Sequence, residues 1–115
     1  MLAAMDYPLA QWSTEKTVAE LKSELARLYG TRLHGLYLFG SRARGDARPD
    51  SDLDMLIVLD SIPSWSGEVN RTSEIVARLS LESGISVSRV FISEADWGSK
   101  SSPFLQNVRE EAIAA

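Results

Sequence analysis

Residues 40 to 54 of this 115-residue chain read Gly-Ser-Arg-Ala-Arg-Gly-Asp-Ala-Arg-Pro-Asp-Ser-Asp-Leu-Asp. Asp52 and Asp54 are two apart, so on a strand both carboxylates project from one face. Paired carboxylates of this kind suit magnesium, which takes one or two of them together with phosphate oxygens and water. Gly40 and Ser41 end the preceding apolar run. Glycine lets the backbone approach a ligand closely, and serine adds a hydroxyl donor. Arg42 and Arg44 can add charge-assisted bonds to phosphate oxygens. If residues 41–44 turn into helix, their free N–H groups face the same spot. Donors on one side and metal-holding acids on the other are the parts that phosphoryl or nucleotidyl transfer needs. Each half is weak alone. A Gly-Ser pair is mostly a strand-to-turn junction, and an Asp-X-Asp is mostly a turn acid beside a capping acid. The segment has neither the Walker Gly-Lys-Ser/Thr nor a Gly-x-Gly-x-x-Gly pattern.

These residues need elements to hold them. Val18, Leu21, Leu25 and Leu28 recur at helical spacing and predict a helix over 14–29. Thr17 with Glu20 fits a capping box, Ser13 and Thr14 are alternative starts, and Gly30 is the stop. Residues 33–39 predict a strand and 40–51 a long turn. Residues 53–59 are apolar nearly throughout, which marks a central strand. Asp54 enters that strand, where a carboxylate costs several kcal/mol unless it is paired, hydrogen-bonded or metal-bound. Residues 61–67 read as a loop. Val69, Ile75, Val76 and Leu79 predict a second helix over 68–82, ended by Gly84, and 85–92 predict a third strand. Ser93 caps a helical turn. Ser102-Pro103 opens a last helix carrying Phe104, Leu105 and Val108. Residues 1–13 lack periodicity and are expected to form an arm ahead of a single domain over 14–115. This order implies an α/β (α+β) class, with a small mixed sheet of about three to four strands and helices packed on it.

Composition narrows the function classes. Hydrophobic residues make up 44% and charged residues 24%, a globular balance. The lack of cysteine excludes disulfides and cysteine-ligated zinc, and one histidine, His34, excludes a His-rich metal site. A net charge of −4 argues against direct nucleic-acid binding. Arg42, Arg44 and Arg48 form a local basic patch that suits a small anion. No apolar run approaches the ~20 residues of a membrane span. The N-terminus lacks the basic start and apolar stretch of a signal peptide, so a cytoplasmic protein is expected. His34 and Arg89 read as structural or surface residues, Asp50 as a turn former, and Glu110-Glu111 as a solvated helix face. Trp65, in its Ser/Pro/Gly loop, is the aromatic most suited to a partner contact.

Taken together, Gly40-Ser41-Arg42-Ala43-Arg44-Gly45-Asp46 through Pro49-Asp50-Ser51-Asp52-Leu53-Asp54 closely resembles the signature of minimal nucleotidyltransferases of the DNA polymerase β-like superfamily. The match is dense over about 35–60. Ser102 to Glu111 resembles the tail of small members less specifically. The resemblance implies the polymerase β-like nucleotidyltransferase fold. Gly40 and Ser41, with Arg42 and Arg44, would bind the nucleotide. Asp52 and Asp54 would be the catalytic acids and would bind Mg2+, with Mn2+ also compatible, and ATP would be the substrate. Members of this size resemble antitoxins paired with a HEPN-domain toxin, a helical ribonuclease, to whose tyrosine they transfer AMP. Active members often carry a third carboxylate on a later strand. Here that strand contains Ser86, Ser88 and Arg89 but no acid, and Glu94 and Asp96 follow it. A nucleotide-binding partner that neutralises without chemistry, and transfer to a small molecule, are the alternatives.

Overall fold

The structure is a computed structural model that describes residues 10–99 and 101–115. In chain order its elements are α1 (Thr14–Tyr29), a 3-10 turn (Gly30–Arg32), β1 (Leu33–Phe39), α2 (Ser41–Arg44) and β2 (Leu53–Leu59). They are followed by α3 (Trp65–Ser83), β3 (Val87–Ser93), α4 (Glu94–Ser99), α5 (Pro103–Glu111) and β4 (Ile113–Ala114). The sheet order is β3-β2-β1-β4. β1 runs antiparallel to β2 and β4, and β2 runs parallel to β3, so the sheet is mixed. The apolar strand is internal, as its composition requires. Met55 to Leu59 are each no more than 2% exposed. Leu53, Met55, Ile57 and Leu59 pack toward Leu21, Leu25 and Leu79 of α1 and α3. Leu56 and Val58 pack on the other face with Val108 of α5. Helices therefore cover both faces of β2, and only Asp54 interrupts its apolar run. Among the described residues no helix is long and apolar enough to cross a membrane.

Several boundaries differ from expectation for local reasons. Ser13, not the Thr17–Glu20 box, caps α1: its Oγ accepts from the Lys16 N–H at 3.0 Å. Thr17 is instead buried and donates its hydroxyl to the Ser13 carbonyl. The buried stripe of α1 is Thr17, Leu21, Leu25 and Tyr29, leaving Leu28 exposed. α3 begins at Trp65 rather than 68, because Ser64 supplies the cap by accepting from the Gly67 N–H. β3 begins two residues later than expected, since Ile85 N–H is held by Ser83 Oγ in the preceding turn. The fourth strand of the expected three to four is β4, two residues long, at a position that no sequence pattern marks. Residues 1–9 of the expected arm lie outside the described residues. Gln11 and Trp12 join the fold, with Gln11 Nε2 donating to the Pro49 carbonyl at 2.7 Å and the Trp12 ring packed on the core.

The buried face of α3 carries one acid. Glu68 is 3% exposed and accepts from Tyr29 Oη at 2.8 Å, Arg32 Nη2 at 3.2 Å and Arg71 Nε at 3.2 Å. Burial pushes its carboxyl up, but these three partners outweigh that and hold it below the ordinary glutamate value. Glu68→Ala leaves the Tyr29 hydroxyl and two partly exposed arginines without it, and is expected to cost about 2–3 kcal/mol in denaturant unfolding. The native carboxyl is the stronger acid, so its contribution is present above the ordinary value of 4.5 and is lost as pH falls through the native value. The gap between wild type and variant should therefore close under acid. A gap that persists down to pH ~2 would show that the charge is not what matters.

Candidate functional site

Asp54 stands opposite Phe39 in the β1–β2 register, so the next residue of β1's chain, Gly40, passes beside its carboxylate. Gly40 has φ 77° and ψ −160°, a conformation essentially reserved for glycine. A Cβ at Gly40 would overlap Asp54 Oδ2 and lie 3.1 Å from its Cγ. The glycine is thus required twice, by backbone conformation and by contact with the acid. Its carbonyl accepts from the N–H groups of Ala43 and Arg44, which starts α2 and brings Arg44 one turn above the strand end. Gly45, at φ 83°, closes that turn.

The four residues expected to bind nucleotide divide. Ser41 is half-buried at the first position of α2, immediately after Gly40. Arg44 is 48% exposed, donates to Asp46 Oδ2 at 3.3 Å and Glu111 Oε2 at 3.1 Å, and lies in electrostatic reach of Asp54. Arg42 does not join it. Its guanidinium donates to the Ser51 carbonyl at 2.8 and 3.1 Å and to Thr14 Oγ1 at 3.1 Å. Arg42 therefore ties α2 and the start of α1 to the residue just before Asp52.

Asp52 is exposed and Asp54 half-buried. Burial pushes the Asp54 carboxyl up, the Asp52 charge pushes it further, and Arg44 offsets this only in part. Two like charges at a partly desolvated spot favour a cation between them. Both donors are hard oxygens. Among the described residues no group of three or more His, Asp or Glu side chains is gathered to cage a metal. A carboxylate pair completed by substrate oxygens is the usual magnesium arrangement, and the residues present fit it.

Sequence reasoning missed Glu111. Its Oε1 accepts from the Gly40 N–H at 2.9 Å and its Oε2 from Arg44, with the side chain 22% exposed. It is not a solvated helix face. Helical spacing could not reveal this, because the partners lie 71 and 67 residues away. The later acids do not fill the place of a third carboxylate. Ser88 is the β3 residue level with Asp54. Arg89 donates to Thr72 Oγ1 at 3.0 Å and to the Val69 carbonyl at 2.8 Å on α3. Glu94 pairs with His34 Nδ1 at 2.6 Å. Trp65 is 52% exposed, stands edge-on to Phe91, and lines a groove of about 610 Å³ with Phe104 and Leu105.

The profile of the nucleotidyltransferase domain family matches residues 18–109, which include every group just described at the Asp54 end of the sheet except Thr14 and Glu111. The chain belongs to this family. A candidate protein adenylyltransferase of Methanocaldococcus jannaschii is 33% identical to this nucleotidyltransferase over 98 residues, 84% of this chain and 92% of that protein. The protein adenylyltransferase MntA of Thermococcus cleftensis is 42% identical over 50 residues, 44% of this chain and 48% of that protein. Among solved structures, a toxin–antitoxin with AMP-PNP superposes with a TM-score of 0.59 at 20% identity, covering 87% of this chain and 70% of that one. A mutant MntA–HpeT toxin–antitoxin gives 0.60 at 18% identity, covering 90% and 72%. At those identities the likeness is one of fold, and the nucleotidyltransferase fold is the one that these strands and helices form.

Proposed function

We propose that this nucleotidyltransferase transfers AMP from ATP, with magnesium, to a tyrosine hydroxyl of a HEPN-type ribonuclease toxin and so acts as its antitoxin. The observation that carries the reading is the contact of the Gly40 backbone with Asp54, which places the Ser41–Arg44 turn beside the Asp52–Asp54 pair. In this reading Ser41 and Arg44 hold the nucleotide's terminal phosphates. Asp52 and Asp54 hold magnesium, which when bound neutralises phosphate charge and polarises the phosphoryl oxygens. The acceptor oxygen bonds to the α-phosphorus, its proton passes to solvent, and the bond to the α,β-bridging oxygen breaks to release pyrophosphate. The chain's own contribution is positioning and charge placement, the usual means of phosphoryl-transfer catalysis. The names of the relatives support the adenylyl donor, and the toxin–antitoxin neighbours support a protein acceptor.

The test is mass spectrometry of a purified candidate HEPN toxin after incubation with this protein, ATP and Mg2+. One added AMP on a tyrosine is expected. Stable complex formation with no added AMP would instead favour neutralisation by binding alone, a reading that gains from Ser88 standing where an acid would lie level with Asp54.

A further inference from the structure

Glu111 is held from both sides before it touches the site. α5 leads into it, capped by Ser102 accepting from the Leu105 N–H and anchored by buried Leu105 and Val108. β4 follows it, pairing with Tyr37 and Leu38 of β1, and the Ala115 N–H donates to the Leu36 carbonyl. A glutamate fixed this way loses little further freedom on making its bonds. Its two oxygens divide between two different parts of the site, the Gly40 amide at 2.9 Å and the Arg44 guanidinium at 3.1 Å. Arg44 also donates to the exposed Asp46 at 3.3 Å, and Asp54 is within reach of its charge.

We propose that Glu111 is a positioning residue for nucleotidyl transfer: a carboxylate strut that fixes the Gly40 turn and holds Arg44 away from the Asp52–Asp54 pair. The inference rests on the nucleotide-binding reading above. A guanidinium without Glu111 has an obvious alternative partner in Asp54, where a bidentate pair would occupy the oxygens that a cation needs. Glu111 supplies a competing carboxylate, so Arg44 stays available to phosphate and the aspartates stay available to metal. The Gly40 N–H is taken by Glu111, which leaves Ser41 and Arg44 as the phosphate donors of the turn.

The test uses Glu111→Gln, whose amide oxygen still accepts from the Gly40 N–H but carries no charge for Arg44. AMP-PNP binding is measured calorimetrically across a Mg2+ series, with thermal melting and the Gly40 amide resonance in the metal-free protein as structural readouts. Glu111→Gln is expected to melt close to wild type and to keep the Gly40 resonance. Its AMP-PNP affinity should fall about tenfold and its half-saturating Mg2+ should rise by a similar factor, the effect of one misplaced charge-assisted bond. In an Arg44→Gln background, adding Glu111→Gln should raise the Mg2+ requirement far less, because the guanidinium it restrains is gone and only its own charge on Asp54 is lost. An unchanged Mg2+ requirement in the single variant, or an equal rise in both backgrounds, overturns the inference. No AMP-PNP binding by wild type would overturn the nucleotide-binding reading and the inference together, whereas wild-type binding with an unaltered variant overturns the inference alone.

Discussion

Asp54→Asn is expected to lower nucleotidyl transfer by about 10²–10³-fold while leaving the fold intact, because in the proposed mechanism it removes a metal-holding charge that contributes several kcal/mol to the transition state. The substitution is nearly isosteric, and β2 stays covered on both faces. Stability should move the other way from activity. The native carboxyl is pushed up by burial and by Asp52, so at neutral pH its ionised form is held against its preference. Asparagine removes that cost, and metal-free Asp54→Asn should melt at or above the wild-type temperature. Transfer is read from AMP incorporation and stability from thermal denaturation. Full activity in the variant would exclude Asp54 from the chemistry, and lost activity together with a lowered melting temperature would mark it as structural.

Gly40→Ala is expected to damage both properties at once. At φ 77° and ψ −160° an alanine pays backbone strain of about 1–3 kcal/mol. Its Cβ also falls onto the Asp54 carboxylate, which must shift. A displacement on the order of 1 Å in a catalytic group can cost about 10²-fold in rate. The variant should therefore lose both melting temperature and about two orders of magnitude in AMP transfer. Gly45→Ala is the comparison that separates the two effects, since that residue is also left-handed, at φ 83°, but nothing lies within 4 Å of its would-be Cβ. It should cost stability with little effect on transfer. Equal losses of transfer in the two variants would count against a special role for the Gly40–Asp54 contact.

The elements nearest the site were readable because their information is local. A strand of Leu, Met, Ile and Val must be buried on both faces, so β2 was expected to be central and lies between β1 and β3. Serines before Pro103 and Glu94 announced helix starts, and each accepts the expected backbone N–H. Where expectation failed, the cause was a partner that periodicity does not name. Leu28 belongs to the apolar pattern of α1, yet Tyr29 takes the buried place because Glu68 of α3 accepts its hydroxyl. Ile85 looked like strand, but Ser83 holds it in the turn.

The same division runs through the site. Asp54 takes its face from the alternation of side chains along β2, and Asp52 stands exposed one residue before that strand begins. The donors follow the end of β1 and the acids open the antiparallel β2, and such a connection brings the two together without help from afar. Arg42 and Arg44, two apart in one helical turn, were equivalent by composition. Thr14 of α1 and the Ser51 carbonyl claimed the first, and Glu111 of α5 the second. Nothing local distinguishes those arginines, and nothing local separates Glu111 from Glu110. Short-range periodicity encodes which face a residue takes, whereas the partner waiting there is set only when helices distant in the chain pack around the sheet.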